Sequence, residues 1–208
     1  MNINTKINWD KYFTIHPVKT ALNYPDKFKF ISRSLLMGIK KGKILELGCG
    51  LGFLLRQIKE DHPDFEIEGF DFSKIAVDTV NSFGITAKEK TIPVDLIMLE
   101  RENYDVVIAT EVLEHLEDDA RLETIKEVYR ILKKGGKAIF TVPDNILPPS
   151  EEKFHLTCYT EETFKEFLGQ VFDFIGVSSR RFLVSNNPAP KGQMWGEAPF
   201  LFGIGYKT

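Results

Sequence analysis

The stretch Lys43-Ile44-Leu45-Glu46-Leu47-Gly48-Cys49-Gly50-Leu51-Gly52-Phe53-Leu54-Leu55 constrains this chain more than any other. A short apolar strand over 44–47 runs into a turn with glycine at every second position. The turn opens into an apolar-periodic helix through Phe53, Leu54, Leu55 and Ile58. Glycines permit a sharp turn and let a ligand lie against bare backbone. The helix start beyond them offers unpaired N–H groups and the positive end of a dipole. A dinucleotide-type G-x-G-x-x-G turn would need its third glycine where Phe53 stands. Glu46, just ahead of the glycines, suits a cationic ligand better than a pyrophosphate.

The rest of the chain alternates strands and helices around that stretch. Residues 65–70 read as a second strand ending at Asp71, and Ser73 caps a helix carrying Ala76, Val77 and Val80, closed by Gly84. A weak strand spans 84–92, followed by a loop holding Asp95 and Leu96; Asp95 could instead cap a short helix over 96–99. The run Tyr104-Asp105-Val106-Val107-Ile108-Ala109 is the cleanest buried strand. A helix over 120–133 should end at Gly135-Gly136, with Lys133 and Lys134 at its negative end. Strand five covers 137–142, Thr160 caps a helix with Phe164, Phe167 and Leu168 facing inward, and strands over 172–180 and 200–207 finish the chain. Ahead of the first strand, Asn23-Tyr24-Pro25 reads as a turn opening a helix over 26–38. Trp9, Tyr12 and Phe13 form an aromatic cluster that either packs on the core or, with Tyr12 or Tyr24, touches a ligand as a lid. The expected organisation is one domain, with 1–42 as a helical flap on 43–208.

The E-x-G-x-G-x-G turn over Glu46, Gly48, Gly50 and Gly52 resembles the first motif of class I S-adenosylmethionine-dependent methyltransferases, of the type 11/12 and ubiquinone-biosynthesis-like small-molecule group. Glu111-Val112-Leu113-Glu114-His115 resembles the segment after strand four in that group, and His155 followed by Tyr159 and the Thr160 cap is also similar. The resemblance covers about 43–167. It implies an α/β/α three-layer sandwich, Rossmann-like, with a mainly parallel seven-stranded sheet whose last strand is antiparallel. It further implies S-adenosylmethionine as cofactor and S-adenosylhomocysteine as product. Gly48, Cys49, Gly50 and Gly52 would pass under the methionine part, while Glu46 and the backbone around Glu111 would face its cationic end. Asp71 would hold the ribose diol, Phe72 would flank the adenine, and Asp95 with the Leu96 N–H would read its edge.

Transfer from a sulfonium needs an aligned nucleophile, exclusion of water and, for a protonated acceptor, a base. His115 and His155 fall at the expected rim of the sheet as candidate catalytic bases; each could instead orient its loop. No His, Asp or Glu set has metal-ligand spacing along the chain, so no catalytic metal is expected. His16 and His62 fall outside the motif frame and read as surface residues. Tyr129 and Lys133 satisfy Y-x-x-x-K, the short-chain dehydrogenase pair, but Tyr129 lies on a packing face and the glycine turn has the wrong form. The strand-four segment lacks the [N/D]-P-P-[Y/F] motif of amino-directed base methyltransferases. Neither Cys49 nor Cys158 follows a proline, as a cytosine C5 nucleophile would. Net charge is −3 with no long basic run, which argues against a duplex nucleic-acid partner. No apolar run spans a membrane, no leader pattern opens the chain, and the two cysteines need not pair, so a reduced, cytoplasmic setting is expected. A small-molecule methyl acceptor is the expected partner. Its pocket would be drawn from the flap, 143–159 and 185–199, where Phe154, Tyr159, Met194 and Trp195 could line it or could equally be ordinary packing groups. The alternatives are a Rossmann-type NAD(P) oxidoreductase and a non-catalytic S-adenosylmethionine-binding regulator or scaffold.

Overall fold

Two faces of one sheet must be covered, because its central strands are apolar on both sides. A computed structural model describes residues 4–15, 25–144, 154–183 and 197–208. The expectations resting on His16, Asn23, Tyr24, Met194 and Trp195, and on the turns over 145–150 and 186–192, lie outside those residues. The strands are β1 (Lys43–Leu47), β2 (Glu66–Asp71), β3 (Thr86–Glu89), β4 (Tyr104–Thr110), β5 (Leu132–Pro143), β6 (Phe174–Leu183) and β7 (Glu197–Tyr206). They form one seven-stranded sheet in the order β3-β2-β1-β4-β5-β7-β6. All pairs are parallel except those of β7, which runs antiparallel to both β5 and β6.

Alternation along β1 and β4 separates two cores. Leu45, Leu47, Val107 and Ala109 point to one face, where α5 (Asp118–Ile131) lays down Ile125, Val128 and Ile131 and α6 (Glu161–Gly169) adds Phe164 and Leu168. Ile44, Val106 and Ile108 point to the other. There α3 (Phe53–Asp61) contributes Leu54, Leu55 and Ile58, and α4 (Lys74–Ser82) contributes Val77 and Val80. The same face receives Ile31 from the turn that follows α2 (Pro25–Phe30). The first helix, α1 (Lys6–Ile15), packs Phe13 against Leu51 and Ala76. Among the described residues, no helix is long and apolar enough to cross a membrane.

Several expected boundaries move. The helix over 26–38 is short: α2 ends at Phe30 and the chain continues as a π-turn over Ile31–Leu35, which buries Ile31 and Ser32. Gly135-Gly136 does not end α5, which stops at Ile131; β5 begins at Leu132 and the glycines form a kink within it. That kink is tied to the chain end, as the Gly135 N–H donates to the Lys207 carbonyl at 2.8 Å. Lys133 accordingly serves no helix terminus and binds the Asp105 carboxylate at 2.8 Å. β3 is shorter than expected, and β6 and β7 start or extend beyond their predicted ends. His62 is half-buried, with Nε2 against the Ser32 carbonyl at 2.8 Å, where a surface position was expected.

Candidate active site

In an open parallel sheet the ligand crevice lies outside the carboxyl ends of the strands. Here β1, β2, β4 and β5 deliver Glu46, Asp71, Glu111 and Thr141 to that edge. Between β1 and α3 the chain passes through Gly48 at φ 63°, Gly50 at φ 49° and Gly52 at φ 75°. These left-handed conformations favour glycine. Close packing adds a second reason at Gly48, where a Cβ would come within 2.5 Å of Val112 Cγ2. A Cβ on Gly50 would face the Phe13 ring of α1 at 3.5 Å. The glycines therefore serve packing between loops and leave the backbone of the turn bare. Cys49 is buried, and burial pushes its thiol well above the ordinary range, so it is an inert small residue in the turn.

Asp71 fastens the turn to the end of β2. Its Oδ2 accepts from the Gly50 N–H and its Oδ1 from the Ser73 N–H, each at 2.9 Å. Burial raises this carboxyl to about 6 while those backbone donors pull it down. Ser73 caps α4 as expected by accepting from the Ala76 N–H at 3.3 Å, and its hydroxyl also meets Asp10 of α1. Glu46 is buried beside Asp71. Its Oε1 receives only a long 3.4 Å bond from the Thr110 hydroxyl, and its Oε2 has no hydrogen-bond partner among the described residues. Burial drives its carboxyl well above the ordinary range, Thr110 and Lys27 pulling the other way. A buried acid with an orphaned oxygen at a ligand crevice fits a cationic group arriving from outside.

The β4 end is built differently. Glu111 takes φ 54°, an uncommon conformation for a residue with a side chain and one found at functional turns. It is held there by its N–H to the Thr141 carbonyl at 2.9 Å and by the Thr141 hydroxyl donating to Oε1 at 2.7 Å. Lys27 of α2 reaches it at 3.4 Å, is 2% exposed, and lies 4.0 Å above the Phe200 ring. Next to it Glu114 is 1% exposed, and neither of its carboxylate oxygens has a hydrogen-bond partner among the described residues. The Leu156 N–H donates to the Glu114 carbonyl at 2.7 Å, which anchors the 154–157 loop. His115 Nδ1 lies 2.8 Å from the Phe154 carbonyl, so Nδ1 carries a proton and the neutral ring keeps its lone pair on Nε2. The His115 and His155 ring centroids are 5.0 Å apart. Asn4 Nδ2 donates to the carbonyls of His115 and Phe154, and Trp9 packs on both side chains.

The fold thus gathers Glu46, Gly48, Cys49, Gly50, Gly52 and Asp71 at one end of the crevice, and Glu111, His115 and His155 at the other. Phe72 is half-buried between Asp71 and the α4 cap. The Asp95 and Leu96 pair does not present itself as expected. Leu96 is a core residue whose N–H is committed to the Pro93 carbonyl at 2.9 Å within the 3-10 turn Val94–Met98. Asp95 turns its carboxylate back onto the Thr91 N–H at 2.6 Å and Lys90 at 3.3 Å. Of the acceptor-pocket candidates, Phe154 lies beside His115, whereas Tyr159 is buried against Phe164 and Phe167. Two residues of the site escaped the sequence reading. Lys27 sits in a polar, helix-like pattern that looks solvated, and Glu114 was read only as part of a motif.

Such an edge, with a glycine turn after β1, an acid ending β2 and an antiparallel seventh strand, places its polar groups where open α/β sheets bind their ligands. Residues 45–138 match the family model described as a methyltransferase domain. Those residues resemble a methyltransferase domain, and the fold of the chain is that of a solved S-adenosylmethionine-dependent methyltransferase. It is 32% identical over 122 residues to an uncharacterized methyltransferase, YdaC, of Bacillus subtilis, covering 56% of this chain and 65% of that protein. It is 30% identical over 105 residues to a tRNA N(3)-methylcytidine methyltransferase of Schizosaccharomyces pombe, covering 47% and 42%. With a ubiquinone biosynthesis O-methyltransferase of Nitrosomonas europaea the identity is 29% over 132 residues, covering 61% and 51%. The chain therefore spans less than two thirds of the length of these relatives. A crystal structure of a methyltransferase from Archaeoglobus fulgidus superimposes with a TM-score of 0.72 at 15% identity, covering 93% of this chain and 99% of that one.

Proposed function

We propose that this protein transfers a methyl group from S-adenosylmethionine to an O, N or C atom of a small-molecule acceptor by in-line displacement. The observation that carries the reading is the buried Glu46–Asp71 pair flanking the glycine turn, with Glu46 Oε2 orphaned. When bound, the cofactor supplies an electrophilic methyl on a sulfonium that leaves as a neutral thioether. Gly48 and Gly50 would let it approach the backbone, and Glu46 would neutralise its ammonium group. Asp71, already fixed by two backbone donors, retains acceptor capacity for a ribose diol. Phe72 would flank the adenine. Asp95 would contribute to the base edge only by releasing Thr91, and Leu96 not at all through its side chain.

His115 and His155 are the candidate bases. His115 is the better aligned, because its bond to Phe154 sets the tautomer and directs Nε2 toward Glu114 at 3.9 Å. A small acceptor is supported by the net charge of −3 and the absence of a basic run. A relative named as a ubiquinone O-methyltransferase supports it further, while the one named for tRNA sets the competing acceptor class. Calorimetric titration with S-adenosylmethionine, S-adenosylhomocysteine and NAD(H) tests the reading. Micromolar binding of the first two with NAD(H) silent is expected; NAD(H) binding alone would overturn it.

A further inference from the structure

Glu114, His115 and His155 each bring one ligand-capable atom to a common spot, all within 4.8 Å of one another. The set is invisible along the chain because the 154–157 loop, not sequence proximity, closes it. We infer that these three residues bind a first-row divalent cation of the Mn2+ or Zn2+ type.

Around an ion with ligand bonds near ~2.1 Å, neighbouring donor atoms lie about 3–3.5 Å apart, so the observed spacing closes by roughly an ångström on binding. The second observation is Glu114 itself. A residue 1% exposed with two partnerless carboxylate oxygens is costly in any protonation state, since even the neutral acid keeps a buried donor and acceptor. An ion pair with protonated His115 accounts for the 3.9 Å contact to Oε1 alone and leaves Oε2 without a hydrogen-bond partner among the described residues. A cation satisfies both. His115 is also oriented as metal-binding histidines are, with its distal nitrogen hydrogen-bonded to a carbonyl, which fixes the tautomer and aims the other lone pair. The Leu156 and Asn4 bonds hold the two backbones that carry these rings. Two imidazoles and one carboxylate favour Mn2+, Zn2+ and similar ions over Mg2+ or Ca2+, which prefer oxygen ligands.

Three protein ligands leave coordination positions open. In the methyltransferase reading, on which this step alone rests, a hydroxyl oxygen of the acceptor would occupy one and lose its proton to solvent more readily, His115 and His155 then serving as ligands in place of the role of base. The acceptor class is then a hydroxyl-bearing molecule.

The test is titration of the full chain, freed of metal by chelator, with MnCl2 followed by electron paramagnetic resonance. About one equivalent should bind, displaced by ZnCl2, with nuclear modulation from coordinated imidazole nitrogen. Glu114→Gln and His155→Ala should each weaken binding at least ~10-fold. His62→Ala, with its ring on Ser32, should change nothing. No binding of Mn2+ or Zn2+ at millimolar concentration overturns the inference, as does equal binding by wild type and both variants. Should Glu114→Gln fail to fold by circular dichroism, His155→Ala decides, and the imidazole modulation decides without any variant. A parallel S-adenosylmethionine titration separates the two readings. Metal binding without cofactor binding sinks the proposed function and leaves the metal site standing, whereas the reverse sinks the metal site alone.

Discussion

The two ends of the crevice are built by opposite strategies. At the β1–β2 end, Glu46, the glycines, Asp71 and the Ser73 cap are each placed by the strand or turn that carries them, and the 2.9 Å bond from Gly50 to Asp71 ties the turn to β2. At the β4 end, Glu111, Glu114 and His115 depend on Thr141, the 154–157 loop, Lys27 and α1. The first end is a local motif whose geometry survives wherever its strands pair. The second is an assembly of distant segments, free to vary the group that it presents.

Gly48→Ala should have the largest effect, because Gly48 is where the ends touch. A side chain at φ 63° with Val112 at 2.5 Å should cost about 2–4 kcal/mol of stability and weaken the cofactor on the order of 100-fold. Adding Val112→Ala should restore part of the stability; additive losses in denaturant unfolding would show that the ends are independent. Asp71→Asn comes next, weakening S-adenosylmethionine ~10- to 150-fold, the worth of hydrogen bonds to a charged group, without loss of the folded signal. Near-wild-type affinity by calorimetry would remove Asp71 from the binding site.

The pH dependence follows from the same residue. Its carboxyl lies near about 6 in the fold, against ~3.9 unfolded. The raised value means that its contribution to stability is present at low pH and is lost as pH rises through that value. Diol binding needs the ionised form, so affinity should be full above about 6 and fall roughly tenfold per unit below it, with Asp71→Asn flat. An unchanged slope in the variant would assign the titration elsewhere. The smallest effect is expected from Thr160→Ala, which removes the α6 capping box. A loss of ~1 kcal/mol in thermal unfolding with unchanged cofactor affinity is expected; altered affinity would extend the site to that helix.

Legibility in the sequence follows the same division. The glycine turn, the Asp71 acid, the Ser73 and Thr160 caps and the apolar runs of β1 and β4 were readable because each is decided within a few residues. Gly135-Gly136 misled because a glycine pair after an amphipathic helix has the form of a stop. Here the end of the chain captures those residues into β5, a pairing with Lys207 that no local window contains. Lys27 was unreadable for a related reason: burial over Phe200 overrides the usual fate of a lysine. The convergence of Glu114 with His155 depends on backbone bonds across the crevice, and spacing rules for metal ligands search only along the chain.

Helix α1 touches both ends. It offers Phe13 to Gly50, Asp10 to Ser73 and Lys6 to Glu89 on one side, and Trp9, with Asn4 just ahead of the helix, to His115 and Phe154 on the other. Residues 4–15 therefore bridge the two sites, which gives the ligands of each a route to thermodynamic linkage. A ligand that tightens this helix from one side makes its seat on the other side less costly to complete, and the reverse holds by the same amount. Each ligand becomes an effector of the other, with α1 as the hinge pin through which they negotiate.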